Sequence, residues 1–146
     1  MAGLGLTFLK LGGSLITDKN SPHSERRDVL LRLADEIAQA IADRPDQSLI
    51  LGHGSGSFGH VPAHRYSTRQ GVATPQDWQG FIEVWLEARA LNQIVVETLA
   101  SAGLPIIAFP PSATIMAHEG ILAHWDLAPL RAALKAGLIP LVNGDV

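Results

Sequence analysis

The sequence predicts an α/β fold, a three-layer αβα sandwich in which helices cover both faces of a mainly parallel sheet. Two observations predict it. Short apolar runs alternate along the chain with stretches of three- and four-residue apolar spacing. The first two runs each lead into a glycine-rich turn, and ligands of parallel α/β sheets bind beyond the carboxyl ends of their strands.

Each element has a local reason. Leu6 to Leu11 is a short apolar run ending in Gly12-Gly13, a buried strand entering a loop. From Asp28 to Asp43, Leu30, Leu33, Ile37 and Ile41 share one face while Asp35, Glu36 and Gln39 lie on others, which predicts an amphipathic helix. Ser48 to Leu51 is the second strand. Thr74 is placed to cap a helix with Pro75 at its first position, and the pattern continues through Trp78, Phe81, Ile82, Trp85, Leu91, Val95 and Leu99 to a stop at Gly103. The aromatic residues Trp78, Phe81 and Trp85 are expected on the core-facing stripe of that helix. Pro105 to Phe109 is a third strand, Leu127 to Ala136 a further helix, and Leu138 to Val142 a fourth strand ending in Asn143-Gly144-Asp145. This last strand is expected to present an open, apolar sheet edge.

Composition narrows the function classes. The 146 residues, 47% apolar and 17% charged, suffice for one core. A net charge of −3 without a basic block gives no electrostatic reason to expect nucleic acid or an anionic membrane surface. With no cysteine, thiolate metal sites, disulfides and cysteine nucleophiles are excluded within this chain. No apolar run reaches the length of a membrane span, and the cytoplasm is the default compartment.

The chemistry is carried by Lys10-Leu11-Gly12-Gly13-Ser14 and by Gly52-His53-Gly54-Ser55-Gly56-Ser57-Phe58-Gly59-His60. Glycines let backbone N–H groups approach an oxyanion, and a helix opening after the turn adds its positive dipole end. Lys10, Lys19, His53 and His60 add polar and cationic groups beside them. Two phosphate cradles in one domain imply a donor and an acceptor, hence phosphoryl transfer. Taken singly, Gly12 and Gly13 terminate a strand, Lys19 is a solvated loop lysine, His60 a surface histidine and His53 a packed one. Their motif context supports the functional reading for Gly12, Gly13, Lys19 and His60, whereas His53 stays a packed histidine. Asp145, at the same sheet edge, is a candidate for orienting a lysine.

The second loop also matches the dinucleotide pattern G-x-G-x-x-G over Gly54 to Gly59, with Asp77 at a suitable distance. That reading needs Asp77 at the end of a strand, whereas the sequence puts it in the first turn of a helix, and it leaves Lys10, Gly12, Gly13 and Lys19 unused. A Walker-type P-loop is excluded because its pattern is absent.

Lys10 to Lys19 and His53 to His60 resemble the two N-terminal signatures of the isopentenyl phosphate kinases, a branch of the amino acid kinase superfamily. Val61 to Tyr66, Ala90-Leu91-Asn92, Pro110-Pro111-Ser112 and Gly137 to Val146 extend the likeness over nearly the whole chain. The resemblance implies an amino acid kinase-like fold and ATP-dependent phosphorylation of isopentenyl phosphate to isopentenyl diphosphate in isoprenoid biosynthesis. It implies that Lys10, Leu11, Gly12, Gly13 and Ser14 bind the terminal phosphates of ATP, with Ser55 nearby where the family usually has glycine. Lys10 and Lys19 then neutralise the phosphoryl group in flight, and Gly54, Gly59 and His60 bind the phosphorylated acceptor. A serine at position 55 is costly if the backbone there needs positive φ.

The implied cofactors are ATP and Mg2+, with no residue here assigned to the metal. The implied partner is a small isoprenoid monophosphate, and a homodimer is compatible with the family. Members of the branch are longer, so residues 1–146 are expected to be the N-terminal, acceptor-binding part, with the nucleotide-binding part absent. A fosfomycin-type phosphonate kinase and a non-catalytic phosphate-binding fragment are the alternatives.

Overall fold

The computed structural model describes residues 5–66 and 71–145, with the side chains of 60–62 and 64 outside the description. In chain order the elements are β1 (Leu6–Leu11), α1 (Gly13–Ile16), α2 (Arg27–Asp43), β2 (Ser48–His53), α3 (Gly56–Tyr66), α4 (Pro75–Ser101), β3 (Ile106–Ala108), β4 (Ile115–His118), β5 (Ile121–Trp125), α5 (Ala128–Lys135) and β6 (Ile139–Asn143). The α/β class and the alternation of strands and helices are as the apolar periodicity predicts.

Four strands form one all-parallel sheet in the order β1-β2-β6-β3. The expectation that the last strand forms an open edge is corrected: β6 lies inside the sheet, paired with β2 on one side and β3 on the other. The long crossover through α4 carries the chain outward to β3, and the connection through α5 brings it back into the gap between β3 and β2. The described edges are therefore β1 and β3.

Alternation along the strands gives the two faces different partners. Leu11, Leu49, Leu51, Ile139 and Leu141 point to one face and pack with Leu30, Ala34 and Ile37 of α2 and with Leu91, Val95 and Leu99 of α4. Ile50 and Val142 belong to the other face, where α5 contributes Leu130 and Leu134 to an apolar cleft of about 610 Å3. Beside it, Phe8 on the β1 edge is 73% exposed.

Helix α4 begins as a capping box: the Asp77 N–H donates to Thr74 Oγ1 at 3.2 Å, and the Thr74 N–H donates to Asp77 Oδ2 at 2.8 Å. Asp77 thus has a local structural task, and the dinucleotide reading loses its acidic residue. The aromatic stripe also needs correction. Gly80, Val84, Ala88, Leu91, Val95 and Leu99 take the buried side of α4, whereas Trp78 is 50% exposed and packs edge-on against Phe81 at 5.4 Å. At Gly80 the buried side needs a residue without a side chain because α3 crosses closely there; a Cβ at Gly80 would collide with the Tyr66 ring.

The antiparallel hairpin β4-β5 has no counterpart in the sequence reading. Its two-residue connection, Glu119-Gly120, has φ of 48° and 75°. That backbone suits a primed hairpin turn, but glutamate is not among the residues that announce one.

Hydrogen bonds from the Thr74 backbone, the Thr74 side chain and the Ala73 backbone hold the Asp77 carboxyl below its usual value of 3.8. The lowered value means that the ionised cap stabilises the folded state fully above the unfolded carboxyl's pKa. That contribution is lost as pH falls through the folded value. In urea unfolding, wild type should be more stable than Asp77→Asn near neutrality, and the difference should shrink towards zero as pH drops below about 4.

Candidate active site

Two glycine loops meet at the carboxyl ends of neighbouring strands. The register pairs Lys10 with Gly52 and Leu11 with His53, so β1 and β2 release their loops side by side. Leu11 is buried and anchors the first loop, and Gly12 leaves the strand with extended φ/ψ of −61° and 134°. The single helical turn α1 follows, closed by Leu15 and Ile16 N–H bonds to Gly12 O at 2.9 and 3.2 Å. The N–H groups of Gly13 and Ser14 precede these bonds and have no acceptor within the turn.

The second loop is packed directly on the first. A Cβ at Gly13 would lie 2.8 Å from the Gly56 nitrogen and 2.9 Å from its Cα. Gly56 itself has φ of 54°, and a Cβ there would run into the Thr17 side chain. Both positions therefore require glycine, one for close approach and the other also for its backbone conformation.

Buried Thr17 links the loops: its Oγ1 donates to Gly13 O at 2.7 Å and accepts from the Ser57 N–H at 3.0 Å. Ser57 Oγ is buried with no hydrogen-bond partner among the described residues. It lines a hollow of about 450 Å3 together with Ser14, Lys19, Asn20 and Gly56. Sequence reasoning did not single out Thr17 or Ser57. The available signal for Thr17 was a hydroxyl four residues after Gly13, where it can reach back to that carbonyl.

The lysines flank the Gly12-to-Ser14 turn from different sides. Lys19 borders the hollow with Ser14 and Ser57, while Lys10 lines the larger cleft with Gly52 and Gly54. Ser55 does not need the feared backbone geometry: the positive-φ non-glycine residues described are His23 and Glu119. Its carbonyl accepts the N–H bonds of Phe58 and Gly59 at 3.2 and 3.4 Å. Its side chain lies over Gly59, where a Cβ would be 2.7 Å from both Ser55 Cβ and Oγ.

His60 lies in α3, and its side chain falls outside the described residues. His53 is a packed histidine, 3% exposed, with Nδ1 2.9 Å from Gly54 O and Nε2 3.0 Å from Asn92 Oδ1. Asp145 is buried, and its Oδ2 accepts from the Ser112 N–H at 3.0 Å and from Ser112 Oγ at 2.6 Å. Ser112 Oγ in turn accepts the Trp85 indole N–H at 3.2 Å. The described partner of Asp145 is thus a serine rather than a lysine. Among the described residues, no three His, Asp or Glu side chains gather as a metal site would require, and no helix is long and apolar enough to cross a membrane.

The sequence model of the amino acid kinase family matches residues 5–146. The chain belongs to the amino acid kinase family. Within it, the chain is 38% identical over 146 residues to an isopentenyl phosphate kinase of Methanothermobacter thermautotrophicus, covering 97% of this chain and 53% of that protein. It is 35% identical to an isopentenyl phosphate kinase of Methanocaldococcus jannaschii, covering 97% of this chain and 56% of the relative. A solved isopentenyl phosphate kinase structure superimposes with a TM-score of 0.86 at 37% identity, covering 96% of this chain and 57% of the other. The chain spans little more than half the length of these relatives.

In this member of the amino acid kinase family, Ser55 and Gly59 form a steric pair. Gly59→Ala should destabilise by about 1–3 kcal/mol through overpacking. Adding Ser55→Gly should recover most of that loss, which a double-mutant cycle by denaturant unfolding measures directly.

Proposed function

We propose that this chain supplies the N-terminal, acceptor-binding part of an isopentenyl phosphate kinase, which transfers a phosphoryl group from ATP to isopentenyl phosphate and yields isopentenyl diphosphate. The observation that carries the reading is the contact between Gly13 and Gly56, which brings two backbone anion cradles together at one end of a parallel sheet. One phosphate site alone would suit many proteins. Two in contact suit transfer between phosphates.

In this reading Gly12, Gly13 and Ser14 hold the terminal phosphates of ATP, with Leu11 anchoring their loop and Ser55 nearby. Gly54, Gly59 and His60 serve the acceptor. An acceptor phosphate oxygen attacks the γ-phosphorus, the new P–O bond forms, and the bond to ADP breaks. The nucleophile is already an oxyanion, so no strong general base is needed; alignment and charge stabilisation do most of the work. Lys10 and Lys19 supply positive charge where two phosphates would otherwise repel. Mg2+ is expected with ATP and would screen its phosphates, but the described side chains offer it no carboxylate cluster, and no residue is assigned to it.

The exposed face of α4 favours an isoprenoid over a small polar acceptor. Trp78 and Ile82 are about half exposed, and Trp85 follows on the same face, turned towards Ser112 at the carboxyl end of the sheet. Such a surface suits a branched hydrocarbon tail.

His60→Ala in the full-length protein should lower turnover by about ten- to a hundredfold while leaving ATP affinity nearly unchanged, because it removes an acceptor-side contact. Steady-state kinetics with isopentenyl phosphate, with fosfomycin as the competing acceptor, measure this. Preference for fosfomycin would favour the phosphonate kinase reading. Binding of isopentenyl phosphate without any transfer would favour a non-catalytic one.

A further inference from the structure

Thr17 occupies a position that the transfer chemistry itself does not explain. It is 1% exposed, at the end of α1, and its backbone N–H already donates to Gly13 O at 3.0 Å. Its hydroxyl donates to the same carbonyl at 2.7 Å, which fixes the direction of the remaining bond: the lone pair on Oγ1 must receive the Ser57 N–H, 3.0 Å away. Ser57 is among the first residues of α3, whose leading N–H groups have no partner within the helix. Thr17 thus takes up a donor that an anion would otherwise compete for, and attaches α3 to the first loop.

We propose that Thr17 is a positioning residue that sets the separation of the two glycine loops, and through it the separation of the two phosphates; its importance for transfer rests on the proposed kinase function. Three contacts converge on this separation. The Thr17 side chain fills the space beside Gly56 that a Cβ would need, the Gly13 and Gly56 backbones touch, and the hydroxyl bridges a carbonyl of one loop to an amide of the other. With its N–H held, Ser57 lines the hollow shared with Ser14 and Lys19, and its buried hydroxyl has no hydrogen-bond partner among the described residues.

Two variants separate positioning from folding. Thr17→Val keeps the shape and removes the bridge, whereas Thr17→Ser keeps the hydroxyl and removes a methyl. In the full-length protein with ATP and isopentenyl phosphate, Thr17→Val should lower kcat at least about tenfold while both KM values stay within about threefold. Thr17→Ser should restore most of the rate. Amide exchange followed by NMR should show the Ser57 N–H exchanging faster in Thr17→Val but not in Thr17→Ser, with the core amide of Leu51 unchanged in both. An unchanged kcat in Thr17→Val, or a loss of protection at Leu51 alongside Ser57, would overturn the proposal. A wild-type protein that transfers no phosphate would count against the proposed function instead. The exchange data then decide the role of Thr17: faster exchange at Ser57 confined to Thr17→Val upholds the tie, and unchanged exchange overturns it.

Discussion

The contact between the Gly13 and Gly56 backbones is the constraint on which the site depends. Two neighbouring loops ordinarily have side chains between their main chains. Here a missing Cβ on each side lets the main chains touch, and the Thr17 hydroxyl joins a carbonyl of one to an amide of the other. A buried hydroxyl with both its proton and a lone pair engaged is worth more in holding geometry than its modest net stabilisation suggests, because an unmade bond there leaves a buried polar group without a partner. These contacts tie the two glycine loops to one another.

The sheet makes that contact possible. Parallel pairing of β1 with β2 places the ends of both strands level, so their loops emerge together. The core between the sheet and helices α2 and α4 fixes the strands from one side, with Leu51, Leu91, Val95 and Leu141 at or below 1% exposure. The other face is only partly covered by α5. Leu6 and Phe8 remain exposed near the cleft that Lys10 shares with Gly52 and Gly54. One end of the sheet thus carries both glycine loops, while one face retains apolar surface.

Features set by local periodicity were legible in the sequence, and those set by distant contacts were not. The Asp28-to-Asp43 apolar spacing and the Thr74-Pro75 start both correspond to helices in the structure, since each signal acts within a few residues. The insertion of β6 between β2 and β3 depends on crossover geometry that no local pattern encodes. On α4, two apolar faces compete, and bulk alone suggested that Trp78 and Trp85 turn inward. The close approach of α3 reversed this by requiring Gly80 beneath Tyr66. At the site, the glycine loops were evident from composition and spacing. The Thr17 bridge was not, because one hydroxyl beside Leu15 and Ile16 carries no periodic signal. Ser55 was read as a backbone problem, yet the positive φ falls one residue later, on Gly56.

Close packing of the two loops as the basis of phosphate transfer is tested most directly by the transfer rate of Gly13→Ala in the full-length protein. A methyl there must displace the Gly56 backbone rather than a flexible side-chain end, since its Cβ would stand 2.8 Å from the Gly56 nitrogen. With ATP and isopentenyl phosphate, the rate should fall by about a hundredfold, the scale expected when reacting groups are misplaced by about 1 Å. A folded Gly13→Ala protein that transfers phosphate at the wild-type rate would contradict the account.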